Sequence, residues 1–516
     1  MTMVAGKRLI PTTTLFAKIG FVLLILFLAF YNLPNYPTTW YDEGSHLHVP
    51  KTLLRFGVYA DYSSEGFRYY GPTVGVGPTV FLPIALVFKF FNIGLLQARL
   101  VMVLYLLGTI YVFYRLGVLM LGSGFAWLAL VLLVGSQAIN IIEYGREVLG
   151  EVPGFLFLAG ALLLWYEAWE SAGWKRLALV GLLFGLAMVT KYQYVIVVVP
   201  VLGLSWLANL IYYRNAPQRL YILPGIVAAV VLACWMGYQI VYLGPSTITE
   251  NITSFRQFTS GAALVFSTDL MRRALNELVS LKTFAGGLLP ILAYSLVLAL
   301  PRSKQGQQWG ILFILVAVNL GWYVIASISW LRYAFPGLTI LTLFVARFFK
   351  DGMEGIRLDL PDLWKESHQN AALIGFQAVR YALLLWLAFM VAIPLAQTTA
   401  SVVKPKFNSP QAMADYMNAH VPLDKLVETW EPEMGFLTDH NYHFPPQLLL
   451  NTAVGYIWTG GKSPAEEYHF IQTEAPEYVL VGEFSIYANA YPWELLHSDY
   501  QLLTTIGAYE LYQRNK

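Results

Sequence analysis

Apolar residues recur along most of this chain in unbroken runs, and about 20 such residues in a helix cross the roughly 30 Å of a bilayer's hydrocarbon. The first run, Ile19 to Pro34, follows Lys7, Arg8 and Lys18. A signal peptide begins in the same way, but no small-residue cleavage site comes next and further runs do, so a retained first helix is predicted. Further runs lie near 99–121, 124–142, 149–169, 176–190, 193–213, 220–243, 283–301, 309–330, 333–349 and 377–397. Together they predict about eleven spans. The run at 76–91 differs: Pro78 and Pro83 interrupt it, and Gly71, Gly75 and Gly77 precede it.

Basic residues arbitrate the topology, because Lys and Arg collect on the cytoplasmic side of a membrane. If 76–91 does not cross, Lys175/Arg176, Arg214/Arg219, Arg302/Lys304 and Arg347/Lys350 all share the side of the N-terminus. If it crosses, all of them are exported. The first arrangement is therefore expected, with 76–91 an interfacial or re-entrant helix, a cytoplasmic N-terminus and an external C-terminus. It places residues 1–397 in a membrane domain whose first external loop is 35–98, and exports 143–148, 244–282 and 398–516.

Composition agrees with lipid as the main solvent. Of 516 residues 57% are hydrophobic and 12% charged, where soluble proteins carry about 25% charged residues. The 15% of aromatic residues suits helix anchors at bilayer interfaces. A net charge of +2 without a long basic run argues against nucleic acid as a partner. The single cysteine, Cys234, leaves neither a disulfide framework nor a thiolate metal cage. The tail differs: from Lys404 onward there are fourteen Asp and Glu against six Lys and Arg. Leu426–Thr429 and Tyr478–Gly482 have the pattern of short buried strands and Gln411–Ala419 that of a helix. A small external α/β domain follows.

The chemistry-bearing residues crowd one membrane face. Asp42 and Glu43 follow the first span in TTWYDEGSHLHVP; a loop start or helix cap is the plain reading of such a pair. A second acidic group returns to that face in IIEYGREVLGEVPGF, with Glu143, Arg146, Glu147 and Glu151. Glu147 and Glu151, four apart, are expected on one helix face, with Arg146 on another. An Arg146–Glu salt bridge closing the loop is the bland alternative. Ionisable groups at membrane depth point to function by default. Lys191 in MVTKYQY and Arg332 in SISWLRYAFPG are isolated cations on that face, each a snorkelling anchor or a holder of lipid phosphate. Carboxylates able to take a proton, beside cations able to hold a phosphate, describe group transfer from a phosphorylated lipid. An exported site excludes cytoplasmic nucleotide sugars as donors.

These residues resemble a known family. YDEG opening the first loop, YYGPTVGVGPTVFLPI after it, QARLVMVLY, GREVLGEVPGFLFLAGALLL, VTKYQY and LRYAFPG together resemble the GT-C glycosyltransferases that use polyprenyl-phosphate sugars. The likeness is greatest to the protein O-mannosyltransferase and aminoarabinose-transferase branch, and it covers roughly residues 15–400. It implies a GT-C-like α-helical polytopic fold in a plasma or inner membrane. It also implies inverting transfer of a sugar from a polyprenyl-phosphate carrier to a hydroxyl on a protein, lipid or glycan. On this reading Asp42 is the catalytic base, Glu43 orients the sugar or the base, and Glu151 takes the second acidic position, where many relatives carry Asp. Lys191 and Arg332 would hold the phosphate, with Tyr333, Arg146 and Glu147 completing the substrate-binding set. Some members bind a divalent ion between the acidic loops and others do not; Asp42, Glu43, His46 and His48 are the candidate ligands here. A flippase for a lipid-linked saccharide and a non-catalytic scaffold subunit are the competing readings. A flippase predicts ionisable groups deep within several spans, and these spans are almost free of charge.

Overall fold

The computed structural model describes residues 12–69, 75–258, 264–356 and 371–515. Each apolar run forms a helix: α1 (Thr12–Phe30), then, beyond α2 (Tyr41–Phe56), the hairpin β1 (Asp61–Ser63) and β2 (Gly66–Arg68), and α3 (Pro78–Phe91), come α4 (Leu95–Leu121) and α5 (Ser123–Val134). After a single turn, α6 (Ile141–Tyr144), follow α7 (Glu151–Glu167), α8 (Trp174–Thr190), α9 (Gln193–Ala208), α10 (Arg219–Phe258) and α11 (Thr268–Val279). The helical series closes with α12 (Leu288–Ala299), α13 (Lys304–Ala326), α14 (Phe335–Gly352) and α15 (Ala371–Val403). Among the described residues, six stretches are long and apolar enough to cross a bilayer: 95–121, 193–213, 219–242, 304–326, 331–352 and 375–403. The protein is an integral membrane protein of mostly helical architecture.

Local chemistry explains where helices depart from the apolar runs. The run at 124–142 stays helical only to Val134, where Gly135 ends it. The run at 283–301 becomes a regular helix at Leu288, because Phe284 and Ala285 adopt left-handed backbone angles, with φ of 48° and 49°. Helix α10 continues well past 243, so the segment expected as a loop from 244 starts as a helix. The run at 76–91 is the helix α3 of 14 residues, about 21 Å long and too short to cross. Part of its glycine-rich approach, 70–74, lies outside the described residues.

Small residues let helices approach closely. Gly181 and Gly185, four apart on α8, face α10: a Cβ on Gly181 would fall within 3 Å of Pro224 and Val227, and one on Gly185 within 3 Å of Val231. Close backbone packing of this kind replaces the hydrophobic drive that lipid does not supply.

The tail builds a sheet of order β4-β3-β5-β7-β6, from β3 (Leu426–Thr429), β4 (Asn441–His443), β5 (Tyr478–Val481), β6 (Tyr500–Ile506) and β7 (Tyr509–Arg514). β3 is parallel to β4 and β5, and β7 is antiparallel to β5 and β6. Helices cover it: α16 (Ser409–His420), α17 (Pro432–Leu437), α18 (Gln447–Thr459), α19 (Phe470–Thr473), α20 (Glu483–Tyr487) and α21 (Trp493–Asp499). Tyr478 and Leu480 join an apolar cluster with Met413 and Met417, whereas Val479 and Val481 join another with Tyr491 and Leu496. Burial on both faces is why the strand reads as a continuous apolar run. The sheet's parallel strands end toward α2, where Phe484 packs 4.2 Å from the ring of Tyr41.

A Gly181→Leu substitution forces α8 from α10, with overpacking worth about 1–3 kcal/mol. Thermal unfolding in detergent should show a clearly lower Tm, while Gly203→Leu, at an open position, leaves it unchanged.

Candidate active site

Glu151 is the first residue of α7, so its carboxylate sits at the positive end of the helix dipole. Helix α8 ends at Thr190, and Lys191, its extended C-cap, turns back over Gly150. A Cβ at Gly150 would press on the Lys191 side chain at 3.0 Å. The glycine thus opens the path by which Lys191 Nζ donates to Glu151 Oε1. Tyr194 Oη donates to the Glu151 carbonyl at 2.5 Å.

Arg332 arrives from another direction. A short 3-10 turn, Leu331–Ala334, precedes α14, and Asn319 ties it down by donating to the Tyr333 carbonyl at 3.1 Å and accepting from Gly337 N at 2.8 Å. The guanidinium lies 3.9 Å from the Trp330 ring centroid and 5.3 Å from that of Trp40. Its Nη2 donates to Asp42 Oδ2 at 2.5 Å, and its Nε lies 3.1 Å from Glu151 Oε1 without hydrogen-bond alignment. Asp42, Glu151, Lys191 and Arg332 therefore form one continuous cluster, with Asp42 its most accessible side chain at 26% exposure. Arg332 Nε and Nη1 and Glu151 Oε2 are buried with no hydrogen-bond partner among the described residues. Unmet donors on a buried cation at this depth form a ready anion site.

Other predicted residues take different places. Glu43 receives Arg99 Nε at 2.9 Å and Nη2 at 2.5 Å, and Val148 N at 3.2 Å. Both Glu43 and Arg99 are fully buried, so Glu43 is a strut joining α2 to α4 rather than a group open to a sugar. Arg146 does not reach the cluster and forms no salt bridge among the described residues. It donates to the carbonyls of Leu28, Tyr31 and Tyr36, satisfying the carbonyls that the end of α1 leaves without partners. Glu147 precedes the helix that starts at Glu151, so the two do not share a helix face; it accepts from Trp40 Nε1 at 3.1 Å. Burial, then repulsion from Glu43 and Glu143, hold its carboxyl well above the usual range. Glu143 accepts from Tyr36 Oη at 2.8 Å. Tyr333 stacks on Trp322 at 5.5 Å.

The four candidate metal ligands do not gather around one point among the described residues. Glu43 is saturated, His46 Nδ1 bonds the Val148 carbonyl at 2.7 Å, and His48 spends both nitrogens, 2.6 Å from Asp61 and 2.6 Å from the Pro432 carbonyl. Among the described residues no three His, Cys, Asp or Glu side chains gather around one point. Arg99 escaped attention in the sequence, although an arginine just inside an apolar run signals a buried partner.

The comparisons bear on the fold. The sequence profile of the dolichyl-phosphate-mannose-protein mannosyltransferase family matches residues 75–240. ArnT of Cupriavidus metallidurans, solved bound to undecaprenyl phosphate, superposes with a TM-score of 0.64 at 12% identity over 98% of both chains. The Archaeoglobus fulgidus oligosaccharyltransferase, solved with a tethered acceptor peptide, gives 0.57 at 13% identity, covering 98% of this chain and 75% of its own. Comparison with curated protein sequences returns no match. The chain has the GT-C fold, with a small sheet-containing C-terminal region.

His46 titration tests the packing of this site. Burial, above all, lowers its pKa from 6.5 to about 4. The unfolded chain then binds more protons between those values, so stability rises with pH from 4 to 6.5 and is lost as pH falls through that window, by about 3 kcal/mol. His46→Gln should flatten this part of the stability–pH curve in thermal unfolding.

Proposed function

We propose that the chain transfers a sugar from a polyprenyl-phosphate carrier to an acceptor hydroxyl at the external membrane face, with inversion. The observation that carries this reading is Arg332: a buried guanidinium packed on the Trp330 indole with Trp40 nearby, bonded to Asp42 and holding two donors unmet among the described residues. A lipid phosphate satisfies those donors with charge-assisted bonds. Lys191, one carboxylate away, adds a second cation. The phosphate competes with Asp42 for Arg332, so arrival of the donor releases the carboxylate as a base.

In the transfer step the acceptor oxygen bonds the anomeric carbon from the face opposite the leaving group. Asp42 takes its proton, and the bond from that carbon to phosphate oxygen breaks. Arg332 and Lys191 stabilise the charge that collects on the departing phosphate. Glu151 keeps both cations placed, and Glu43 with Arg99 holds the helix that carries Asp42. Arg146 and Glu147 act as structural supports in this scheme. The solved relatives support the reading: one holds undecaprenyl phosphate in the same fold, another an acceptor peptide. Residues 398–516 are the external domain in this proposal.

Transfer of labelled sugar from polyprenyl-phosphate donors in reconstituted membranes tests it. Asp42→Asn should lower kcat at least about 1,000-fold, at the upper end of what a lost general base costs, with unchanged membrane abundance. Arg332→Ala and Lys191→Ala should raise KM for the donor more than for the acceptor. Wild-type activity in Asp42→Asn overturns the base assignment. Wild-type protein that exports a lipid-linked saccharide without any transfer identifies a transporter.

A further inference from the structure

Helix α2 carries Asp42 in its first turn, and Gly44, His48, Lys51 and Arg55 follow at spacings of four, three and four. Such spacings form one stripe along a helix. Every member of this stripe meets the same partner, the segment Pro432–Asp439 of the C-terminal region. At Gly44 the Glu433 backbone approaches so closely that any Cβ would overlap it. His48 Nε2 bonds the Pro432 carbonyl at 2.6 Å while Nδ1 is held by Asp61. Arg55 grips Asp439 with two bonds of 2.8 Å.

Lys51 is the centre of the stripe. The residue is 8% exposed, and its ammonium donates to the carbonyls of Gly435, Phe436 and Thr438 at 2.7, 3.1 and 2.9 Å. It also lies 2.8 Å from Asp439 Oδ1. Those carbonyls close the C-terminal end of α17, where they have no partner within the helix and where a cation is favoured. A neighbouring face of α2 is fixed to the membrane helices through Glu43 and Arg99. The helix is thereby clamped between two bodies, and its N-terminal turn has one position.

We propose that Lys51 is a positioning residue: by capping α17 it docks the C-terminal region onto α2 and so sets the placement of Asp42 against Arg332. This rests on the role of Asp42 proposed above. Loss of the clamp frees α2 on one side only, so the donor phosphate site of Arg332 and Lys191 stays intact while the base drifts. A misplacement of about 1 Å costs up to about 100-fold in rate.

The test compares wild type, Lys51→Met and Lys51→Arg as full-length protein in lipid nanodiscs. Lys51→Met is expected to lower kcat by about 10- to 100-fold, with KM for the polyprenyl-phosphate donor within about twofold of wild type, and Lys51→Arg to recover most of the loss. Hydrogen exchange over residues 41–50 is expected to accelerate in Lys51→Met and to return toward wild type in Lys51→Arg. Unchanged kcat, an equal rise in donor KM, or unchanged exchange in Lys51→Met would overturn the proposal. Should Lys51→Met fail to fold, Arg55→Ala and Asp439→Asn loosen the rim of the same seam. They are expected to lower kcat about two- to fivefold at constant donor KM; no effect from either overturns it. If wild type transfers no sugar, the function reading falls, and the exchange measurement still decides the role of Lys51.

Discussion

A guanidinium that has left bulk water must be matched by anions and polarisable neighbours, and Arg332 organises this protein around that requirement. It brings Asp42 from the first turn of α2 and Glu151 from the start of α7 to one point, beside the rings of Trp40 and Trp330. Lys191 reaches the same point from the end of α8. Charges from four separate segments are thus held together because none of them has another route to compensation at that depth. The unmet donors left on Arg332 are what remains for a ligand.

The same requirement accounts for the residues around the cluster. Arg99 and Glu43 neutralise each other inside the bundle, and Arg146 gives its whole guanidinium to the carbonyls at and just beyond the end of α1. Lys51 does the equivalent for the carbonyls at the end of α17 in the C-terminal region. Three basic residues near one site therefore do structural work, and two, Lys191 and Arg332, face the carboxylates that matter for the proposed chemistry. Charge sign and proximity in sequence do not separate these classes; the geometry of available carbonyls does.

Much of the architecture was readable from pattern. The apolar runs mark the helices, the prolines of 76–91 and the basic residues of the other loops set that run apart from the spans, and the unbroken apolar run Tyr478–Val481 marks a strand buried on both faces. Asp42, Glu151, Lys191 and Arg332 stood out as ionisable groups beside long apolar segments, and the structure brings these four together. Glu43 and Arg146 stood out for the same reason, and His46 and His48 as candidate metal ligands beside the acidic pair; all four are engaged by partners far along the chain, such as Arg99 and the Pro432 carbonyl. Lys51 did not stand out, since a lysine in a loop helix looks solvated until the segment 384 residues away is seen to cover it.

What the sequence determined by itself is therefore the solvent of each segment: lipid for the runs, water for the acidic tail, and an interface where charges collect between them. That follows from composition and period, which act locally. Which acid meets which base was decided only by tertiary structure. The partners are separated by 40, 56, 290 or 384 residues, and no local pattern records a pairing made by helices that meet only after folding.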